Sequence, residues 1–506
     1  MPHERARVAI GWVATASRGA ACAAVVAAAT RVGMSKGGAT RDAHPPGLIV
    51  LYLTEVWERF SFYGMKALLV LYLNDGVLQE QRLSYVMGSQ VVVACFGQPA
   101  DAPEVQALAS TLNELYAGVA YLTPLAGGLL ADAFLGSRAT LLLGGVLMAL
   151  GHACMALERT FLLGLLFLVL GNGGFKPTIT AMLSRLYEPP GPASLRDRGF
   201  AIFYTGINVG ALLAPLVCGA LQHNFGYDAG FGAAGVGMVI GLLTFLAGSP
   251  WLRVAAEGDA HEALLSSSSS GPAANVAPTS QSTLGSMAAL MGLCATVVPF
   301  WVPFEQLSNV LPLFFRERTE RHVLGMSILA PWLQGVNPLV CVCVMPVLTS
   351  LWGRQARRGT EPAPTSKMAI GCLLQSGAWL LMAAGSVGVT ADAKAPLLLL
   401  LTVVFLLTLA QLYMSPIALA LVTRCCPAHA RSTAVGLWFL AGGVGGVLAG
   451  PVGALYGTWT SPAFFSLLAA ISAFGALLIS CVAPRLQRLA MAASVKSEQA
   501  KRLISV

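Results

Sequence analysis

Four ionisable side chains lie in one largely apolar stretch near the amino-terminal end of the sequence. The stretch reads TEVWERFSFYGMKALLVLYL and contains Glu55, Glu58, Arg59 and Lys66. In a helix, at about 100° and 1.5 Å per residue, all four fall on one face, with Lys66 about 16 Å beyond Glu55. A salt-bridged surface helix could carry such a face, but the run ALLVLYL favours a membrane helix. A charge at the bilayer centre costs at least about 2.5–3.5 kcal/mol, so these residues predict a functional site.

Two further ionisable residues lie in apolar stretches, each near a proline. Lys176 lies in GNGGFKPTITAML and Glu305 in FWVPFEQLSNVL. A helix broken by proline is tolerated at membrane depth beside a water-filled cavity, so the pattern predicts that both residues border one. With the first four they make three carboxylates and three cations, which predicts mutual pairing. Asn337 and Gln411 add polar groups, which in membrane helices more often hold helices together than bind ligands.

The composition is that of a membrane protein. Of 506 residues, 56% are hydrophobic and only 11% are charged, and the mean hydropathy is +0.70. Soluble proteins carry about 25% charged residues, whereas a helix that spans a bilayer needs about 20 mostly apolar residues. The sequence predicts an all-α membrane protein with about twelve spanning helices, at 47–73, 111–131, 138–157, 161–184, 200–221, 231–250, 286–315, 325–352, 367–389, 395–423, 433–457 and 461–483.

The order of these helices predicts two six-helix bundles around a central site, the arrangement of the major facilitator superfamily. A Ser/Pro-rich stretch between the bundles predicts a flexible cytosolic linker. The Arg-rich amino-terminal extension is read either as a transit-like leader or as an artefact of the start site, because Met34 opens an alternative cytosolic tail. The predicted ranges are 1–45 for the extension, 46–250 and 286–485 for the bundles, 251–285 for the linker and 486–506 for a basic cytosolic tail.

The positive charges predict the orientation of the chain. The net charge of +8 comes from short loops and tails, and cytosolic loops are the ones enriched in Lys and Arg. Both termini are therefore predicted in the cytosol, and residues 76–110 in an outer loop without a helix pair. No helix has a basic stripe with aromatic residues, so nucleic acid is not a predicted partner. We predict that the protein lies in the plasma membrane. An organelle membrane is the alternative.

The sequence contains no recognisable catalytic or metal-binding pattern. Its eleven cysteines form no C-x-x-C pair, and most lie in apolar segments, so neither a metal site nor a disulfide framework is predicted. No nucleophile lies beside a base at a spacing typical of an enzyme. We therefore predict no enzyme activity and no cofactor.

Six motifs resemble those of the proton-coupled oligopeptide transporter family, and together they extend over residues 48–480. The first, Glu55-x-x-Glu58-Arg59-Phe60-x-x-Tyr63-Gly64, is similar to the family's E-x-x-E-R-F-x-Y-Y-G signature. A loop motif, GGLLAD, also resembles that of the superfamily. The remaining matches are Gly171–Pro177, Phe203–Gly210, Phe300–Gln306, Asn337-Pro338 and Ser415–Ile417.

The resemblance implies a role for each candidate residue. Glu55, Glu58 and Arg59 would form a proton-linked cluster, together with Glu305, which would pair with Lys66 across the bundles as an outer gate. Lys176, the lysine of the family's motif in the fourth spanning helix, would bind the peptide carboxylate. The residues implied to bind substrate are Tyr63, Lys66, Tyr121, Lys176, Asn208, Asn337, Gln411 and Trp438. The implied function is proton-coupled symport of di- and tripeptides by alternating access, with protons, a small peptide and the lipid bilayer as partners.

Three departures from the family pattern keep other functions open. Lys66 replaces an arginine and lacks its planar fork, and Phe62 replaces the first tyrosine of a pair. Gln411 replaces the glutamate that in the family holds the free amino group of the peptide. The alternatives are symport of an anionic or non-peptide solute, such as nitrate or an organic acid, and a non-transporting membrane receptor or degenerate paralogue.

Overall fold

The computed structural model is almost entirely helical. It describes residues 44–187, 193–252, 280–323, 325–390, 393–425 and 431–489. The helices are α1 Gly47–Tyr72, α2 Glu80–Leu83, α3 Ser89–Phe96, α4 Ala102–Leu130, α5 Gly136–Met155, α6 Phe161–Arg185, α7 Ala193–Phe225, α8 Tyr227–Gly248, α9 Ser280–Ala295, α10 Val298–Glu305, α11 Val310–Arg318, α12 Leu333–Arg357, α13 Pro364–Gly385, α14 Leu397–Arg424, α15 Arg431–Ala454 and α16 Ser461–Cys481. Strands β1 His322–Val323 and β2 Met326–Ser327 form a small antiparallel hairpin.

These helices make twelve segments long enough to cross a bilayer. Ten candidate spans meet both length and hydropathy requirements, and one of them, Ala102–Met155, contains both α4 and α5. Helix α1 is 26 residues long and carries four charged residues; it is long enough to be the twelfth segment. Helices α9, α10 and α11 together make one broken segment. The predicted all-α architecture is therefore confirmed.

The predicted outer loop at 76–110 is wrong in part. Short helices α2 and α3 lie in it, and α4 begins at Ala102 rather than near residue 111. The side chain of Asp101 accepts a hydrogen bond from the backbone N–H of Glu104 at 2.9 Å, and Pro103 occupies the first turn. Asp101 and Pro103 are typical of the start of a helix. The polar residues in this stretch nevertheless led to the prediction of a loop. A predicted break at Lys176 is also wrong, because α6 continues through Pro177.

Each half of the molecule has its own apolar core, and close backbone contacts join the two halves. Helix α4 packs on α15, and α7 packs on α12. A Cβ atom at Gly118 would lie 2.8 Å from the carbonyl oxygen of Gly443, and one at Gly450 would lie 3.0 Å from the Cα of Thr111. The first contact lies near the middle of both helices and the second lies in the halves that the loop charges place outside, so the structure represents a state closed on its outer side.

Several predictions fall on residues outside the described ranges. The extension up to residue 43, the linker from 253 to 279 and the tail from 490 lie there. The second bundle begins with α9 at Ser280, six residues before the predicted boundary. The division into domains otherwise stays a prediction.

Candidate substrate and proton site

Arg59 lies between the two glutamates of its own helix. Its Nε is 3.2 Å from Oε1 of Glu55, and its guanidinium also donates two hydrogen bonds to Glu58. All three side chains are at most 5% exposed. Oε2 of Glu55 is buried without a hydrogen-bond partner among the described residues. The cluster thus holds one cation against two carboxylates, an arrangement that can bind a proton.

The replacement of tyrosine by Phe62 changes what surrounds this cluster. The guanidinium carbon of Arg59 lies 5.2 Å from the centre of the Phe62 ring, within the range of a cation–π contact. Gly210 of α7 lets that helix lie against the backbone of α1, since a Cβ there would lie 2.8 Å from the Cβ of Arg59. The Phe203–Gly210 motif therefore contributes close packing beside the charged cluster.

Lys66 and Glu305 form a buried ion pair between the two halves. The ammonium of Lys66 is 3.1 Å from Oε2 of Glu305, and the two side chains are 9% and 5% exposed. Glu305 is the last residue of α10 and lies two positions after Pro303. The structure thus has the contact that the resemblance implied, and the predicted helix break near Glu305 is present.

A cavity of about 170 Å³ lies between the halves beside this ion pair. Its lining includes six of the eight residues implied to bind substrate, together with Glu305. These are Tyr63, Lys66, Tyr121, Asn208, Asn337 and Gln411. Lys66 and Glu305 are the two ionised side chains in the described lining, and they neutralise each other. The other described lining residues are uncharged.

Lys176 and Trp438 lie outside this lining. The ammonium of Lys176 lies 4.8 Å from the ring centre of Tyr121 and 5.5 Å from that of Phe439 in the other half. Within the described part of the chain it has no ion-pair partner within 4 Å. Glu55 and Glu58 act on it only through longer-range electrostatics. Trp438 lies behind Trp301, with ring centres 5.9 Å apart. Lys176 is therefore a cation beside the cavity that no carboxylate of the described residues neutralises directly.

Three neutral amide side chains, those of Gln334, Asn337 and Gln411, lie in the second-half wall of the cavity. Oε1 of Gln411 accepts a hydrogen bond from Nδ2 of Asn337 at 3.0 Å, and the Sγ of Cys341 lies 4.0 Å from the same oxygen. Gln334 lines the wall as well, and its Nε2 is buried without a described partner. Where the family pattern has a carboxylate, this cavity offers hydrogen-bond donors and acceptors without charge.

The sequence interpretation missed one ionisable residue altogether. Glu114 lies in α4 within LNELYAGVAYL and is 0% exposed. Asn113 donates a hydrogen bond to its Oε1 at 2.7 Å. Its presence in a predicted spanning segment was a sufficient signal to include it. With Glu114, the candidate inner groups number four carboxyl groups against three cations, one carboxyl group more than predicted from the sequence.

Comparison with known proteins identifies the family. The family model described as the POT family matches residues 138–260 and 258–465. The peptide transporter YePEPT of Yersinia enterocolitica is 32% identical over 82% of this chain and 89% of its own length. The chain belongs to the POT family. A di-/tripeptide transporter of Lactococcus lactis subsp. cremoris is 26% identical over 86% of this chain and 94% of its own.

Solved structures agree with this assignment. A POT peptide transporter mutant in complex with alafosfalin matches with a TM-score of 0.72 and 25% identity, over 91% of this chain and 99% of that one. A POT family transporter in complex with 5-aminolevulinic acid has a TM-score of 0.71 at 22% identity, over 90% and 99%, and supports the fold alone. The predicted family and major facilitator fold are confirmed, and the chain is a multi-pass membrane protein of a transporter family, which is not an enzyme class.

Proposed function

We propose that this POT family member is a proton-coupled symporter of di- and tripeptides that works by alternating access in a lipid bilayer. The observation that carries the proposal is the buried Lys66–Glu305 pair, because it lines the cavity and joins the two halves at once. A group that binds protons or ligands in such a place affects which side of the cavity is closed.

Proton coupling follows from what happens when a carboxylate is neutralised. Protonation of Glu305 would release Lys66 and remove an attraction between the halves on the outer side. Protonation of Glu55, which already has an unbonded oxygen, would loosen its contact with Arg59. A ligand shifts an equilibrium between two states only when it binds them unequally. Glu305 satisfies that condition for the proton, because its ion pair with Lys66 joins the two halves.

Substrate binding would combine one charge with several neutral contacts. Lys176 supplies a point charge for the substrate carboxylate, and Tyr121, whose ring it contacts, lines the cavity. Asn208, Asn337 and Gln411 supply donors and acceptors for peptide groups. The carboxyl end of a peptide would thus be bound by charge and its backbone by hydrogen bonds.

One observation favours a second candidate, symport of a simple anion such as nitrate or an organic acid. The carboxylate that lines the cavity, Glu305, is already committed to Lys66, and position 411 is an amide. The described lining therefore has no free negative charge for the amino group of a peptide, whereas Lys176 remains open to an anion.

Uptake into liposomes distinguishes these functions. Purified protein is reconstituted, and uptake of labelled dialanine and of labelled nitrate is measured with and without an inward proton gradient. Dialanine accumulation that requires the gradient is the expected result. Accumulation of nitrate alone would establish the anion function. Uptake of neither would contradict the proposal and leave transport of another solute and the receptor as the remaining candidates.

The residue at 411 gives a further prediction. Gln411→Glu is expected to shift preference toward peptides with a free amino group and to reduce transport of simple anions, because the new carboxylate would compete for Lys176. Binding of dialanine and of its acetylated form to both proteins is the measurement. Wild-type protein should lose little binding on acetylation and the variant much more.

The matched control introduces the same charge elsewhere in the cavity. Gln334→Glu adds a carboxylate to the lining but not at the position of the family glutamate. It should not reproduce the dependence on a free amino group. Equal loss on acetylation in wild type and Gln411→Glu would show that another residue, with Glu305 the first to test, already holds the amino group.

A further inference from the structure

Residues 84–100 connect α1 to α4 on the side that the loop charges place outside. They include the short helix α3, and we call them the outer cap segment. The backbone N–H of Met87 donates a hydrogen bond to the carbonyl oxygen of Arg159 at 2.8 Å, and the guanidinium carbon of Arg159 lies 6.0 Å from the ring centre of Tyr85. These contacts hold the outer cap segment against the connection between α5 and α6.

The composition of the outer cap segment is unusual for a connection outside the membrane. Its sequence, SYVMGSQVVVACFGQPA, contains no charged side chain. Four large apolar side chains in it are exposed to a considerable extent: Tyr85 60%, Met87 48%, Val91 67% and Phe96 48%. Exposed apolar residues that lie together mark a contact site for a protein, a ligand or a membrane. The segment therefore requires a partner that accepts apolar side chains without charge.

Helix α3 has one face on the protein and two different edges beside it. Ser89 and Val92 are buried, at 7% and 8% exposure, and Val92 belongs to the apolar core of the first half. At about 100° per residue, Val91 and Cys95 lie on one side of this buried face and Gln90 on the other. All three are exposed. The helix thus presents an apolar edge and a polar edge to its surroundings.

The outer cap segment adjoins the surface of α6 that faces lipid. A Cβ atom at Gly88, just before α3, would lie 4.0 Å from Cδ1 of Leu162 in the first turn of α6. Leu166 and Leu170 follow at four-residue spacing and are 52% and 50% exposed, and neither lines the cavity between the halves. Exposed leucines on a spanning helix contact the lipid tails. The segment therefore lies where this lipid-facing surface reaches the outer side of the membrane.

We propose that the outer cap segment lies in the headgroup region of the outer leaflet, with Val91, Cys95 and Phe96 in contact with phospholipid and Gln90 toward water. Apolar side chains gain free energy when they leave water, and a segment without charges carries no ion into the interface. The segment leads directly into α4, which packs on α15. Its contact with lipid therefore fixes the depth of the outer end of α4, the helix of the first half against which the second half closes.

The test measures the depth of α3 in the membrane. A nitroxide spin label is attached to the native Cys95 of the full chain, whose other cysteines are alanine, in phosphatidylcholine liposomes. Collisions of the label with oxygen, which concentrates in lipid, are compared with those of a water-soluble nickel chelate. The Cys95 label should lie about 5–10 Å within the boundary between headgroups and acyl chains. A label at Gln90→Cys, with Cys95 also alanine, should collide mainly with the nickel chelate.

Glu320→Cys is the reference for a position in water, since Glu320 is exposed in the outer connection after α11. A Cys95 label as accessible to the nickel chelate as this one would overturn the proposal. A Cys95 label shielded from both reagents would overturn it as well, because protein, such as a second copy of the chain, would then cover α3. Neither measurement uses substrate, so a failure to transport peptides would refute only the proposed function.

A second experiment covers the case in which the protein without its other cysteines does not fold. A photoreactive benzophenone analogue of phenylalanine replaces Phe96 in the otherwise native chain, and the protein in liposomes is irradiated. Mass spectrometry should detect phospholipid cross-linked at this position and none when the same analogue replaces Glu320. Cross-links from position 96 to protein alone would contradict the contact with lipid.

Discussion

Glu305→Gln is expected to abolish accumulation driven by a proton gradient while leaving counterflow exchange of substrate measurable. Glutamine retains a carbonyl that can accept a hydrogen bond from Lys66, so the cavity keeps its shape. It cannot ionise, however, so the variant loses both the ion pair and the group that would titrate. Removal of one partner from a buried ion pair costs about 3–5 kcal/mol, which would also weaken the outer seal. Accumulation and counterflow are both measured in liposomes with labelled dialanine.

Glu317→Gln provides the comparison for this variant. Glu317 pairs with Arg316 at 2.9 Å in the same broken segment, but its side chain is 44% exposed, so its ion pair is expected to matter little. Accumulation by this control should match the wild type. If Glu305→Gln accumulated substrate at the wild-type level, Glu305 would have no part in proton coupling, and Glu55 and Glu58 would be the remaining candidates.

Lys176→Ala is expected to weaken binding of any substrate carboxylate by about 2–5 kcal/mol, the effect of removing one partner of a buried charge pair. This corresponds to a loss of about 30-fold to several thousandfold in affinity. Conversion of the peptide carboxylate to an amide should therefore be costly for the wild type and much less so for the variant. The measurement is the dissociation constant of dialanine and of its amide, each determined for the wild type and for Lys176→Ala.

Lys367→Ala tests whether any similar lysine has the same effect. The Lys367 ammonium also lies over an aromatic ring, that of Trp352, at 4.6 Å, but it pairs with Glu361 in a different part of the molecule. Its removal should leave both dissociation constants unchanged. Equal losses on amidation in wild type and Lys176→Ala would show that Lys176 does not meet the carboxylate.

Much of the architecture could be read from the sequence, because a bilayer constrains it strongly. A spanning helix must satisfy its backbone internally and present apolar side chains to lipid, so the number of long apolar blocks predicts the number of helices. For the same reason, ionisable residues inside such blocks are rare, and the sequence alone marks Glu55, Arg59 and Lys66 as candidates. The order of short motifs along the chain then identified the family.

Only the tertiary structure decided which of these groups meet. Glu305 is 239 positions from Lys66, and the pair forms because close glycine contacts between α4 and α15 set the depth and register of the halves. The same packing encloses Glu114. Its helix starts in a polar stretch, where local sequence cannot distinguish a capped helix end from a loop. Lys176 likewise lies over a ring from the opposite half. Local sequence determines the segments, whereas the partners of a buried charge depend on long-range packing between them.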